Sequence, residues 1–99
     1  MILNIVNKNS RSDCFDQCLA QLNPGDALLL IEDGVLAALD TPRNHQWLQR
    51  CPEGVALYAL REDALARGVE PQLMAGFQPV SYDEFVDLVA QFRLSQSWY

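Results

Sequence analysis

The chain has 99 residues, enough for one domain around a single hydrophobic core and too few for two. Its apolar fraction of 49% lies above the disordered range, and no apolar run approaches the ~20 residues of a membrane-spanning helix. The formal net charge is −6, and Lys8, Arg11, Arg43, Arg50, Arg61, Arg67 and Arg93 are scattered along the chain, which disfavours unaided binding to nucleic acid or to an anionic membrane.

The first element is a strand over residues 2–6, Ile-Leu-Asn-Ile-Val, short and rich in β-branched side chains. These opening residues lack the basic flank, long apolar core and cleavage site of a secretory signal, so a cytoplasmic location is expected. Ser12 then reads as an N-cap, with Asp13 and Asp16 suited to the positive end of a helix. Phe15, Cys18, Leu19 and Leu22 recur at i, i+3, i+4 and i+7 and form one apolar face. Asn23-Pro24-Gly25-Asp26 closes that helix, because proline cannot continue it and glycine favours the turn.

Residues 27–31, Ala-Leu-Leu-Leu-Ile, are apolar at every position, as in a strand covered on both faces within a parallel sheet. Such a strand must hand over to a crossover helix, and Asp33-Gly34 fits that handover, with Asp33 expected to cap a helix opening over residues 35–39. Asp40-Thr41-Pro42 interrupts it, and a second helical piece over 43–50 carries Trp47 and Leu48 inward. After a turn at Pro52-Glu53-Gly54, residues 55–60 form the third strand, and residues 62–67 a short helix stopped by Gly68. Residues 77–80 read as a weak fourth strand, which Pro79 pushes to a sheet edge. Ser81 caps a helix over 82–92, with Phe85, Leu88, Val89 and Phe92 as its apolar face, and residues 95–99 give a last short strand. Strand and helix in alternation mean an α/β domain of about five mostly parallel strands, spanning 1–99.

Chemistry in such a sheet belongs at the carboxyl ends of the strands, here Asn7-Lys8-Asn9, Glu32-Asp33-Gly34 and Arg61-Glu62-Asp63. Those stretches hold no phosphate-cradling glycine motif, and the single histidine, His45, allows no Ser/His/Asp set. Asp33 as a phosphoryl acceptor lacks the acidic pair and the later lysine that such chemistry uses. Cys14, Cys18 and Cys51 form neither a CxxC nor a metal-ligand pattern, so no metal, cofactor or disulfide is expected. Cys18 falls at the margin of the first helix's apolar face and reads first as a small buried hydrophobe. Trp98 and Tyr99, closing the chain in an aromatic pair, either plug the domain's own core or pack across a subunit contact at a sheet edge.

Taken in order, the Ile-Val-Asn-Lys-Asn-Ser opening, Gly-Asp-Ala-Leu-Leu-Leu-Ile-Glu-Asp-Gly-Val, Leu-Tyr-Ala-Leu, Asp-Ala-Leu-Ala-Arg-Gly, Val-Ser-Tyr-Asp-Glu-Phe-Val-Asp-Leu and the terminal Trp98-Tyr99 resemble the DsrE/DsrF/DsrH-like family in its TusB/DsrH branch. The resemblance covers nearly the whole chain. It implies a five-stranded subunit assembled with TusC-like and TusD-like partners in a heterohexamer, which relays persulfide sulfur toward 2-thiolation of tRNA wobble uridine and meets tRNA only indirectly. In DsrH-like relatives it implies a role in sulfur oxidation instead. The carrier cysteine of the TusD-like partner follows a middle strand, whereas Leu60-Arg61-Glu62-Asp63 here contains none. DsrH-like proteins often have a cysteine in the first helix, and Cys18 matches it by position. Two readings therefore stand: a non-catalytic supporting subunit, or a thiol protein that accepts and passes on sulfur through Cys18. A free-standing α/β binding module is a third.

Overall fold

The computed structural model describes residues Met1–Tyr99. Its centre is β2 (Ala27–Leu30), four side chains that are all fully buried because helices cover both faces of the sheet. β1 (Ile2–Val6), β3 (Ala56–Leu60), β4 (Phe77–Val80) and β5 (Leu94–Trp98) complete a five-stranded sheet of order β4-β3-β2-β1-β5. Every pairing is parallel, with Ile5 opposite Leu29 on one side and Ser97 on the other.

The strand order explains where the helices lie. The chain steps outward from β1 through β2 and β3 to β4, then returns across the sheet to place β5 beside β1. Right-handed crossovers put helices from the outward steps on one face and the returning helix on the other. Accordingly α1 (Asp13–Gln21), α2 (Pro42–Arg50) and α3 (Arg61–Ala66) share one face, where Phe15, Cys18, Leu19, Trp47 and Ala64 pack on Val6, Leu28, Leu30 and Ala59. Phe15, Trp47 and Phe77 stack edge-on there, with ring centroids 4.9 and 6.0 Å apart. α4 (Tyr82–Gln91) alone covers the opposite face, setting Leu88, Phe85 and Phe92 against Leu3, Ile5, Ala27 and Leu29.

Local chemistry sets the helix starts. Ser12, Thr41 and Ser81 each accept a backbone N–H from the first turn, and Ser81 with Glu84 makes a full capping box. Hydrogen bonding to the Glu84 carboxylate from the Ser81 backbone N–H, and secondarily from the Ser81 side chain, holds that carboxyl below the usual range. Pro79 does lie on an edge strand, where its missing N–H costs no ladder bond on the outer side.

Two local expectations fail. Residues 35–39 do not open an α-helix; Glu32–Ala38 is a 3₁₀ helix, after which Leu39 turns extended and bridges to Leu73. Gly34 sits so tightly on the end of β1 that a Cβ there would lie 2.3 Å from the Val6 carbonyl oxygen. A segment pressed that close, and entered through Glu32 at φ 50°, takes the tighter i→i+3 winding. Val89 is 40% exposed rather than inward, because α4 rests on its face through the narrower Phe85/Leu88/Phe92 stripe.

Candidate functional site at the carboxyl edge of the sheet

The strands point their carboxyl ends at one rim, and the sheet's change of direction falls between β1 and β5. The segment leaving β1 is tied down by side chains. Asn9 Oδ1 accepts the Arg11 N–H at 2.9 Å, and Ser10 Oγ donates to Asn44 Oδ1 at 2.8 Å. Asn44, buried at 4% exposure, donates through Nδ2 to the Leu36 and Leu39 carbonyls at 2.9 and 2.8 Å. Its own N–H reaches the Thr41 cap at 3.2 Å, so one side chain locks the β1 loop, the 3₁₀ segment and α2 together. Asn44 was missed in the sequence; the cap Thr41-Pro42 three residues before it was the available signal. Beneath the loop, Asn7 Oδ1 is buried with no partner.

The ends of β2 and β3 are joined by carboxylates. The Glu32 N–H donates to Asp63 Oδ2 at 2.6 Å, and Arg67 Nε donates to Asp33 Oδ1 at 3.0 Å while its Nη1 lies 3.9 Å from Asp63. Asp33 is therefore not the helix cap expected of it: Ile31 occupies that position with no side-chain bond, and Asp33 reaches outward to a cation. β3 runs straight into α3 without a loop, and Glu62 Oε2 there accepts the Tyr82 N–H at 3.3 Å. His45 Nε2 and Asp40 Oδ1 pair at 2.6 Å on the exposed side of α2.

Cys18 lies under α1 on the face shared with α2 and α3, away from this rim, at 1% exposure. Burial pushes its thiol up to about 12, with Cys14, Cys51 and Asp26 adding like-charge opposition. Cys51, half-buried at the end of α2, is also raised by burial, and all three cysteines are free thiols. Asp26 is itself buried, its Oδ1 accepting the Ile2 N–H at 2.9 Å and its Oδ2 the Asn23 N–H at 3.0 Å. That carboxylate stitches the start of β1 to the turn before β2, a role its place in a Pro-Gly turn did not announce.

The terminal aromatics divide between the two roles open to them. Trp98 is half-buried against the main core, and its Nε1 donates to Asn4 Oδ1 at 3.1 Å, while Asn4 Nδ2 donates to the Ala27 carbonyl at 3.2 Å. Tyr99, at 67% exposure, stays outside. No group of three His, Cys, Asp or Glu side chains is arranged to hold a metal ion, and no helix is long and apolar enough to cross a membrane.

A family model described as DsrH-like protein matches residues 9–95. The chain belongs to the DsrH-like family. Among its relatives, Protein TusB of Shigella flexneri is 38% identical over 97 residues, covering 98% of this chain and 100% of that protein. Protein TusB of Escherichia coli strain SE11 matches with the same identity and coverage. Among solved structures, the ychN protein of E. coli superposes with a TM-score of 0.77 over 97% of both chains at 16% identity, a likeness of fold alone. Protein Tm0979 of Thermotoga maritima follows with a TM-score of 0.66 and 25% identity, over 92% of this chain and 93% of that one. The all-parallel sheet of this DsrH-like chain agrees with the expected architecture.

Proposed function

We propose that this chain is a non-catalytic subunit of a TusBCD-like sulfurtransferase complex that relays persulfide sulfur for 2-thiolation of tRNA wobble uridine. The likeness to Protein TusB at 38% identity over the whole of that protein carries the reading. The supporting role, as against a carrier role, rests on the thiols. A carrier needs a thiolate at an accessible rim. The rim here offers carboxylates and an arginine, and Cys18 is enclosed by the core.

The partner contact is assigned to Trp98, Tyr99 and the β5 edge. β5 ends the sheet, its outer hydrogen-bonding side has no neighbour, and Tyr99 and Leu94 leave 67% and 62% of their surface exposed. TusC-like and TusD-like subunits of the heterohexamer are the expected occupants, and tRNA thiolation rather than sulfur oxidation is the expected pathway. Co-expression with such subunits should give one stable complex on gel filtration. Loss of the gene should lower 2-thiouridine in digested tRNA. A persistent monomer in their presence contradicts the reading, and unchanged 2-thiouridine removes the tRNA pathway from it.

A further inference from the structure

The two faces of the sheet are unequally covered. α1, α2 and α3 share one face, and α4 lies alone on the other. On that second face the sheet continues past β1 into β5, where Ser95 and Ser97, in register with Leu3 and Ile5, are small and exposed. Glu84, Asp87 and Gln91 of α4 border a hollow together with Tyr58, Gln78 and Val80, so that flank of the helix overlooks β3 and β4. At about 100° of turn per residue, the opposite flank, toward β5, carries Tyr82, Val86 and Val89 at i, i+4 and i+7. These three are 61%, 60% and 40% exposed, an apolar stripe beside an uncovered strip of sheet.

The stripe is complementary to itself. In a two-fold contact, residue i meets j and j meets i. With two α4 helices antiparallel about an axis between Val86 and Val89, each Val86 meets the other copy's Val89, and each Tyr82 reaches the other copy's Arg93. The charges favour that direction. Asp83 and Glu84 stand in the first turn of α4, no cation lies within the helix, and Arg93 follows its end. Antiparallel pairing sets each Arg93 against the other acidic first turn and opposes the helix dipoles, whereas parallel pairing sets acid against acid. Shape agrees with charge. Met1, Gln91, Phe92, Arg93 and Leu94 line a hollow of about 620 Å³ at the end of α4, and Met1 and Leu94 leave 82% and 62% of their surface exposed there. Tyr82, held against Phe85 with ring centroids 5.9 Å apart, stands at the other end of the same stripe as the side chain to fill the second copy's hollow.

We propose that the chain pairs with a second copy of itself through α4, the two sheets face to face and each helix lying over the other copy's β5. Ser95 and Ser97 lack bulk and allow the incoming helix a close approach, with Val86 and Ala90 on its exposed side. The pairing gives the thinly covered face the second helix that its other face already has. It leaves the outer edge of β5 free, so it does not compete with the partner contact assigned to Trp98 and Tyr99. It goes beyond the subunit reading and does not rest on it.

The test is sedimentation velocity of the full chain over a concentration series reaching about 100 μM. Wild type should form a dimer. Val86→Glu should weaken it by at least about tenfold, and Leu65→Glu, an exposed leucine on α3, should match wild type, with circular dichroism checking each fold. Arg93→Glu should weaken the dimer by about threefold or more, and adding Asp83→Arg to it should restore association. Register is read by cross-linking in a Cys14→Ser/Cys51→Ser background: oxidised mixtures of Val86→Cys and Val89→Cys chains should link more than either variant alone. A monomer throughout the series, a dimer indifferent to Val86→Glu, or Val86→Cys linking to itself better than to Val89→Cys overturns the proposal. A monomer that captures TusC-like and TusD-like subunits and loses them in Val86→Glu gives α4 to another subunit and overturns the pairing alone. A dimer with the stated register that captures neither overturns the subunit reading alone.

Discussion

Alkylation of Cys18 in the folded chain, measured against the same residue in the urea-unfolded chain, bears most directly on whether this subunit carries sulfur. The folded thiol is raised from 9.0 to about 12. At pH 8 that leaves about one thiolate in ten thousand, against about one in ten at the ordinary value, a loss of about a thousandfold. A more basic thiolate is intrinsically more nucleophilic; a Brønsted coefficient of about 0.45 over that shift returns about 20-fold. The folded thiol should therefore react about 50-fold more slowly from ionisation alone. Exposure of 1% slows it further, to the rate of local opening. A timed iodoacetamide reaction, quenched and read by peptide mass spectrometry, follows Cys14, Cys18 and Cys51 together. Exposure to a small persulfide donor should leave Cys18 without the mass of an added sulfur. The reasoning fails if native Cys18 alkylates within about threefold of its unfolded rate, or gains a sulfur that Cys18→Ser abolishes.

The same burial makes stability depend on pH. Above pH 9 the unfolded chain releases the Cys18 proton while the folded chain retains it, so this group's contribution falls as pH rises from about 9 toward 12, by at most about 1.4 kcal/mol per unit. Urea midpoints at pH 7, 9 and 10 should decline less steeply in Cys18→Ala than in wild type; parallel curves refute the coupling. Gly34→Ala places a methyl 2.3 Å from the Val6 carbonyl oxygen, within backbone that cannot rotate away. It should cost at least about 3 kcal/mol and lower Tm by more than about 10 °C in a calorimetric scan. Trp98→Phe keeps most of the packing but leaves buried Asn4 Oδ1 without its donor, a loss of about 1–3 kcal/mol in urea unfolding. Tyr99→Ala should change stability by less than about 0.5 kcal/mol while weakening capture of the partner subunits.

The architecture was legible wherever one residue type had to satisfy one local rule. The unbroken apolar run at Ala27–Leu30 demanded cover on two faces, Ser12 and Ser81 marked helix starts, and Pro79 marked an edge. Misreadings occurred where a contact from elsewhere in the chain decided the outcome. Gly34 presses on the end of β1, 28 residues earlier in the sequence, and Asp33 meets Arg67 across 34 residues. Neither contact has a signature at the residue itself, so the 3₁₀ winding and the outward carboxylate followed from packing. Asp26, Asn4 and Asn44 share that history: each is polar, each is at most 5% exposed, and each is held by a group distant in sequence, Ile2, Trp98 and Ser10 respectively. The fold likewise brings Arg11 and Arg43, far apart in sequence, to the wall of one open hollow.

The rim also explains why a single exchange does not install a sulfur carrier here. Leu60 ends β3 and Arg61 begins α3, so no loop is present to swing a carrier between donor and acceptor. Asp63 holds the Glu32 N–H, Glu62 holds the Tyr82 N–H, and Asp33 holds Arg67. Three of the carboxylates at the ends of β2 and β3, those of Asp33, Glu62 and Asp63, are thus engaged in fixing the edge. A cysteine placed at position 62 would forfeit the bond that Glu62 makes to the Tyr82 N–H and would adjoin Asp63 in sequence, a carboxylate that opposes a thiolate. Leu60→Cys and Glu62→Cys variants should accordingly acquire no persulfide from a donor that loads a free thiol. Loading of either within minutes, followed by transfer to a thiol acceptor, would show that the edge excludes sulfur chemistry only by lacking the atom.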